Sequence, residues 1–310
     1  NKLYEDMLKT FEGILKTAEA YYKWTDEKTP SVKNDGRALF GMDSPGNFSI
    51  VGYNQLGENF FTVDENGYGF INFDSKAFRK IWEHYYVPMV KGYFAAYSFY
   101  RAEDTQTGDI LMYTGSTAGS AFFPLTITYR DNTKIDISMK ALPFPVFDGG
   151  KKVAIQQGAG MVITKSTSEK EYASTIFLKW FTEPKRNTEF VLKTGYMPVT
   201  YEALESIIPE ELPKISSDPH LINTTEVISL ALSMRDEYRL YTYKPFKNSE
   251  DIRLYFEDIF LEKANLARDA YVKHLEAGGS IKDAENQFLS DTAMNSFIEE
   301  VIYEIQNWQK

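Results

Sequence analysis

The stretch that decides the fold class is Gly160-Met-Val-Ile-Thr164, followed by Ser168-Glu-Lys-Glu171. The first run is short, apolar and preceded by turn residues, which predicts a buried strand. Ser168 and Glu171 have the spacing of a capping box, which predicts a helix directly after the strand and ending at Pro184. The apolar residues at helical spacing on it are Tyr172, Ile176, Phe177, Trp180 and Phe181. A strand followed directly by a helix favours an α/β arrangement over an all-helical bundle.

Helices and strands also mix in the chain before this stretch. Apolar side chains at helical spacing predict one amphipathic helix over residues 2–23. A second helix is predicted after Ser75, and Pro88 is expected to end or kink it. The runs 110–114 and 135–141 have the patterns of strands. These segments therefore indicate the same α/β class.

The end of the chain has a different pattern, because the strand signal disappears from about residue 223 onward. Three helices are predicted there, covering about 223–237, 249–277 and 291–308, and the last is expected to begin at Asp291. The sequence therefore predicts a helical C-terminal subdomain.

Length and composition exclude several classes of protein. A chain of 310 residues suggests two domains, at roughly 100–200 residues per domain. The formal net charge of −10 disfavours a surface that neutralises phosphates, so nucleic acid is not an expected partner. No apolar stretch reaches the about 20 positions of a membrane-spanning helix. The chain has no Cys, which excludes disulfides and every cysteine-based metal site.

The motifs of common enzymes and cofactor sites are absent or incomplete. The three histidines lack metal-ligand spacing, and neither a phosphate loop nor a dinucleotide fingerprint is present, so no metal or cofactor is expected. Gly115-Ser-Thr-Ala-Gly119 has the spacing of a nucleophile elbow, but Thr117 stands at its centre. The same small-residue turn after a strand could instead leave backbone N–H groups and hydroxyls free for a ligand. The sequence therefore predicts no catalytic residue.

Aromatic residues, which make up 15% of the chain, suggest a different role. Tyr and Phe faces stack on sugar rings, and neighbouring polar groups pair with the hydroxyls. Most aromatics here lie at helical apolar spacing and are expected in the core. Phe48, Tyr53 and Tyr196 lie in turn-rich segments and are the candidates for ligand contact.

Three ordered motifs carry a resemblance to a known family. They are residues 153–173, 177–184 and 194–199, and residues 72–75, 109–116 and 142–145 fit the same pattern. In these motifs the chain resembles the extracellular solute-binding proteins of ABC importers, in the maltose and multiple-sugar family. The resemblance implies a type II periplasmic-binding-protein-like α/β fold, with two lobes, a hinge and the ligand in the cleft between them.

The resemblance also implies which residues line the cleft. One lobe has two matching cleft segments, the first with Gln157, Gly158 and Ala159 and the second with Tyr196. The cleft loop of the other lobe is matched by Gly115, Ser116 and Thr117. A further segment, with Tyr53 and Asn54, matches one that often stacks on or hydrogen-bonds the ligand.

The chain departs from the family pattern in two places. Sugar-binding members often have an aromatic residue just after the strand that ends at Gly115, whereas this chain has Thr117 and Ala118. The family also begins with strands and helices that build most of the first lobe, and Asn1 matches a position after them. We therefore expect residues 1–142 to form the first part of the second lobe, 143–205 to return to the first lobe, and 206–310 to complete the second lobe.

The resemblance implies a receptor and not an enzyme. It would capture a carbohydrate and deliver it to an ABC permease, at the extracellular face of the cytoplasmic membrane or in the periplasm, with or without a lipid anchor on a residue outside this chain. The alternatives are a receptor for another polar solute (a glycerophosphodiester, a polyamine or a peptide), a sensor subunit, or a carbohydrate-active hydrolase.

Overall fold

The structure is a computed structural model that describes residues 2–32, 34–74 and 76–308, with side chains described from Glu5 onward. Ser75, the residue expected to precede a helix, lies outside the described residues. The α-helices are α1 (Lys2–Met7), α2 (Phe11–Asp26), α3 (Pro45–Gln55), α4 (Lys76–Ile81), α5 (Val87–Lys91), α6 (Arg101–Gln106), α7 (Ser168–Phe181), α8 (Pro184–Thr194), α9 (Ile208–Ile215), α10 (Ile222–Glu237), α11 (Ser249–Glu276), α12 (Ile281–Phe288) and α13 (Asp291–Trp308).

Short strands pair two by two between these helices. The strands are β1 (Phe40–Met42), β2 (Phe61–Val63), β3 (Gly69–Ile71), β4 (Met112–Thr114), β5 (Thr126–Thr128), β6 (Lys134–Asp136), β7 (Val153–Ile155) and β8 (Arg239–Tyr241). β1 pairs with β4 and β7 with β8, both in parallel, whereas β2–β3 and β5–β6 are antiparallel. Parallel pairs joined through helices identify an α/β architecture.

A large aromatic core holds the main body together. It joins α2 to α5 with the C-terminal helices α11 to α13, so two of the three helices predicted as a C-terminal subdomain, α11 and α13, pack into the main body. At its centre the Phe260 ring lies 4.8 Å from the Tyr85 ring and 5.2 Å from the Phe297 ring. These spacings are those of favourable aromatic pairs.

A second, smaller core lies in α8, α9 and α10. Its buried residues are Val191, Leu192, Ile208, Leu212 and Ile228. This cluster spans position 205, where the sequence predicts a boundary between lobes. β7 precedes α7–α10 in the chain and β8 follows them, so this one parallel pair brackets the whole helical segment.

Periodicity predicted the long C-terminal helices well and the short elements poorly. The predicted helices 223–237, 249–277 and 291–308 are confirmed as α10, α11 and α13. The predicted strand 110–114 is confirmed as β4, but of 135–141 only the start lies in β6. β8 and α12 were not predicted, because elements of 3 and 8 residues show too few periods to detect.

The N-terminal helix is interrupted, contrary to the single helix predicted over 2–23. The Thr10 hydroxyl caps α2 by accepting the Gly13 N–H at 3.1 Å. Val146 pairs with the chain on both sides of this break: its carbonyl accepts from Phe11 N at 3.3 Å, and its N–H donates to Lys9 O at 3.0 Å. The break thus lets an incoming loop bond to the backbone. At Pro88 the helix is not ended, because a π-helical segment, Trp82–Tyr86, leads directly into α5.

The predicted buried strand at 160–164 is wrong. These residues form no strand and are exposed, with Val162 85% exposed. The following helix forms as predicted but contains no buried residue, and its cap is Thr167 and not Ser168. The apolar pattern predicted that another element packs over these residues, and no described segment does so. We name the exposed side chains here the α7 surface: Met161, Val162, Ile163, Tyr172, Phe177 and Trp180. A groove of about 540 Å³ lies between residues 161–163 and Phe177.

Within the described residues, no helix is long and apolar enough to cross a membrane.

Candidate functional site

Three chain segments run parallel and end at the same edge of the main body. β1 pairs with β4, and on its other side Phe40 forms a parallel bridge with Phe94. Ligands of α/β proteins bind outside the carboxyl ends of parallel strands, where the following loops converge. The loops here are residues 43–47, 96–101 and 115–117, and we name them together the β1 edge.

Asp43, directly after β1, links all three loops. Its N–H donates to the Thr114 carbonyl at 3.2 Å, and its Oδ1 accepts the backbone N–H of Arg101 at 3.2 Å. A side-chain β-carbon at position 115 would lie 3.8 Å from Asp43 Oδ2 and only 2.7 Å from the Tyr113 ring, so a larger residue there would displace that ring. Burial raises the pKa of Asp43, and the hydrogen bond from Arg101 opposes that rise. The half-buried carboxylate is a strong acceptor for a ligand hydroxyl.

The N-terminus of α3 is filled by a carboxylate of the protein itself. Ser44 caps the helix by accepting the Asn47 N–H at 3.2 Å, and Pro45 follows at the first position. Glu257 on α11 accepts the Ser44 hydroxyl and the Gly46 N–H, the latter at 3.2 Å. Burial raises the pKa of Glu257, against the opposing effects of the Ser44 hydrogen bond and the Arg253 charge. The positive end of this helix is therefore already paired with a negative charge.

A buried ion pair fixes the 96–101 loop. Arg101 and Asp104 are 2% and 1% exposed, and Nη1 lies 2.8 Å from Oδ2. Asp104 also accepts the N–H groups of Tyr97 at 3.2 Å and Ser98 at 2.8 Å. Beyond these bonds the loop exposes Phe99 and Tyr100 at the β1 edge.

The structure brings two of the predicted site segments together. Gly115 and Ser116 are exposed and Thr117 is half-buried at the start of a 3₁₀ turn, Thr117–Phe122. Gly195 has φ +75°, and a side chain there would meet the Thr117 carbonyl at 2.5 Å. Tyr196, 40% exposed, therefore lies directly beside this loop.

The predicted segment 157–159 reaches the β1 edge through one side chain. Gln157 Nε2 donates to Asn47 Oδ1 at 3.3 Å, which joins the chain after β7 to the start of α3. Gly158 and Ala159 are exposed next to it.

Three predicted ligand residues lie inside the protein and not at the surface. Phe48 and Tyr53 are in the aromatic core, where the Tyr53 hydroxyl donates to the Asn72 carbonyl at 2.7 Å. Asn54 is buried and accepts a hydrogen bond from Arg239. Pro45, Gly46 and Gly57 had suggested turns around this segment, but it is the helix α3, which turns these side chains inward. The expectation that Phe48, Tyr53 and Asn54 line the cleft is corrected on this ground.

Sequence reasoning missed the residues at the centre of the edge. These are Asp43, Ser44, Asn47, Phe99 and Tyr100. The run Phe40-Gly-Met42 followed by Asp43-Ser-Pro45 carries a strand and then a helix start with proline at the first position, which could have located part of the site. The contribution of the 96–101 loop had no local signal, because long-range contacts place it there: the parallel bridge at Phe94 and the hydrogen bond from Arg101 to Asp43.

The β1 edge offers carboxylate, amide and hydroxyl groups beside exposed aromatic rings, an arrangement that can bind a polar molecule in a fixed orientation. Within the described part of the chain, no group of three or more His, Asp or Glu residues could hold a metal ion.

Solved structures of the same fold are binding proteins. The chain aligns with the cyclic α-maltosyl-1,6-maltose binding protein of Arthrobacter globiformis at TM-score 0.54 and 15% identity, covering 94% of this chain and 65% of that one. It aligns with maltose-bound MalE3 of T. maritima at TM-score 0.51 and 13% identity, covering 95% and 65%. These likenesses confirm the predicted periplasmic-binding-protein fold class. This chain spans about two thirds of the length of each.

No curated protein matches the sequence. A family profile described as "Bacterial extracellular solute-binding protein" matches residues 1–223, so the chain belongs to the bacterial extracellular solute-binding protein family.

Proposed function

We propose that this chain is the ligand-binding part of an ABC-importer receptor that takes up a neutral carbohydrate at the β1 edge and passes it to a membrane permease. It would act outside the cytoplasmic membrane or in the periplasm and would make and break no bond. Family membership supports the receptor role, because the members are extracellular solute-binding proteins.

The observation that carries the proposal is the set of hydroxyl-pairing groups at one edge. Asp43, Asn47 and Ser116 lie within two adjoining loops, and Asp43 bonds to Arg101 of the 96–101 loop and to Thr114, directly before the 115–117 loop. A site that pairs with several hydroxyls rejects solutes that would leave those groups unpaired. Sugars supply many hydroxyls at fixed spacing.

The charges at this edge favour a neutral ligand over a phosphodiester. Glu257 already occupies the N-terminus of α3, where an anion would otherwise bind. The neighbouring cations are also engaged: Arg101 pairs with Asp104, and Arg253 lies 3.4 Å from Glu257 and 2.6 Å from Glu250. An anionic ligand would therefore meet two partly buried carboxylates, Asp43 and Glu257.

The same proposal assigns a hinge to the β7–β8 pair, because this pair brackets the helical segment α7–α10. Gln55 holds one side of it: its side-chain amide donates to the carbonyls of Pro145 and Val153, each at 3.0 Å.

Thermal unfolding of the chain with single solutes tests the proposal. Maltose, sucrose, raffinose and xylobiose represent neutral saccharides, and glycerophosphocholine, spermidine and a tripeptide represent the alternatives. A saccharide at 100 times its Kd should stabilise the fold by about 2.7 kcal/mol, or about 4 °C for one transition of this size.

The matched variants are Asn47→Ala, at the edge, and Tyr172→Ala, on the α7 surface. The first should reduce the saccharide-induced shift and the second should leave it unchanged. A shift produced by glycerophosphocholine and by none of the saccharides would contradict the proposal and favour a phosphodiester receptor.

A further inference from the structure

We propose that Phe99 and Tyr100 form the aromatic platform on which a sugar ring stacks at the β1 edge. This inference rests on the proposed function and adds the residues that select for a ring-shaped solute. The loop that carries these two residues had no predicted role.

The two rings are unusually bare for aromatic side chains. Phe99 is 83% exposed and Tyr100 is 56% exposed, and their centroids lie 4.7 Å apart in an edge-to-face arrangement. Leaving this much apolar area in water sacrifices burial free energy, which a bound sugar face could recover.

The backbone that carries these rings is fixed and not loose. The Ser98 and Tyr97 N–H groups both donate to Asp104, and the Tyr100 N–H donates to Glu103 Oε2 at 3.1 Å. Arg101 in turn donates to the carbonyls of Ala95 and Ser98.

The buried ion pair that fixes this loop costs desolvation free energy. Arg101 and Asp104 are almost fully buried, and removing two charges from water is repaid only by close pairing. Among its described contacts, Arg101 Nε has no hydrogen-bond partner, so the pair is not fully compensated. A buried ion pair that orders a short loop with exposed rings is understandable when the position of those rings matters, as in a preorganised binding site.

The hydrogen bond between this loop and Asp43 indicates which kind of solute would stack on the two rings. The N–H of Arg101 donates to Asp43 Oδ1 at 3.2 Å, and Tyr100 is the preceding residue, with its Cα about 3.8 Å from that of Arg101. A solute whose hydroxyl is accepted by Asp43 therefore lies within reach of the Tyr100 and Phe99 loop. A ring with polar edges and an apolar face fits both features.

The platform would also replace the aromatic residue that sugar-binding members often have after the strand ending at Gly115. The loop after β4 has Thr117 and Ala118 where an aromatic residue is common, and the neighbouring loop of the same edge presents Phe99 and Tyr100 instead. These two loops flank the loop after β1, because β1 lies between the segments that they follow.

The test measures the Kd of the full chain for maltose, sucrose, raffinose and xylobiose by saturation-transfer difference NMR. The variants are Phe99→Ala, Tyr100→Ala and Tyr100→Phe, with Tyr303→Ala on α13 as an exposed aromatic control, and Asn47→Ala as the control for the hydroxyl-pairing part of the site. Circular dichroism checks that each variant is folded.

We expect each alanine variant at 99 and 100 to weaken binding about tenfold, which corresponds to about 1.4 kcal/mol. Tyr100→Phe, which keeps the ring, should bind nearly as the parent does, and Tyr303→Ala should be unchanged. If Asn47→Ala weakens binding while Phe99→Ala and Tyr100→Ala do not, the platform is wrong and the proposed function stands. If the parent chain binds none of the four saccharides, the proposed function fails and the platform with it.

Discussion

The β1 edge and the α7 surface both expose aromatic side chains, but they are built differently. At the edge, Phe99 and Tyr100 stand among polar groups that buried charges hold in place. On the α7 surface, Phe177 and Trp180 of α7 and Val162 of the preceding segment are exposed apolar side chains, and α7 itself has no buried residue.

The difference separates two kinds of recognition. Aromatic rings beside fixed acceptors suit a small polar solute, whereas a continuous apolar face has the composition of an interface with more polypeptide. Exposed aromatics alone therefore do not distinguish a solute site from an interface, whereas the hydrogen bonds that fix Phe99 and Tyr100 support the proposal of a solute site at the β1 edge.

The largest effect should come from the charges that support the edge. Asp104→Ala leaves Arg101 buried without its partner and should cost about 3–5 kcal/mol of unfolding free energy. Urea denaturation measures this, with Glu189→Ala on α8 as an exposed control that should leave the free energy of unfolding unchanged. Equal stability of the two variants would show that the buried pair does not support the loop.

Acid should weaken the main body through His84. This side chain is buried, its Nδ1 lies 2.8 Å from the Lys80 carbonyl, and burial lowers its pKa despite the nearby Glu12 carboxylate. The unfolded chain therefore protonates first as the pH falls through about 6.5, and stability drops by about 1.4 kcal/mol for each unit of pKa lowering.

Unfolding free energies at pH 7.5 and 5.5 check this effect. His84→Gln should lose less stability between the two pH values than the parent does, and His220→Gln, at an exposed position, should behave as the parent. Parallel losses in all three proteins would remove His84 as the cause.

Helix caps should matter in the packed body and little on the α7 surface. Thr10→Ala removes the cap of α2, whose apolar face lies in the main core, and should cost about 1 kcal/mol. Thr167→Ala removes the cap of α7 and should cost much less, since α7 buries no residue. Chemical denaturation followed by tryptophan fluorescence compares the two. A larger cost at Thr167 would mean that α7 belongs to the cooperative core.

The smallest stability effect is expected on the α7 surface itself. Phe177 is 52% exposed, so Phe177→Asp should change the free energy of unfolding by no more than about 0.5 kcal/mol. It should nonetheless reduce binding of the apolar dye ANS, because it breaks the exposed face. Tyr303→Asp on α13 serves as the control and should leave dye binding unchanged. A large loss of stability in Phe177→Asp would contradict the comparison.

Local pattern predicted the elements that depend on their own residues. α10, α11 and α13 follow from long apolar periodicity, and the turn and resemblance arguments placed Gly115, Ser116 and Thr117 at an exposed strand end. The predicted strand at 160–164 was wrong because an apolar pattern shows only that a segment could be buried. Burial also needs a second element packed against the segment, and the described residues provide none.

The centre of the site could not be predicted locally. Asp43, Arg101 and Gly115 are far apart in the sequence and meet only because three short parallel segments end together. The prediction for Phe48 and Tyr53 was wrong for a local reason, because Pro45 and Gly46 suggested a turn, whereas this proline begins a helix.

The proposed function depends on binding of a neutral saccharide at the β1 edge. It is tested by titrating the isotope-labelled chain with maltose, sucrose, raffinose and xylobiose and following backbone amide shifts by TROSY NMR. We expect at least one sugar to shift the amides of residues 43–47 (except Pro45, which has no N–H), 97–101 and 115–117 with saturating dependence. Shifts confined to the α7 surface, or none with any of the four sugars, would contradict it.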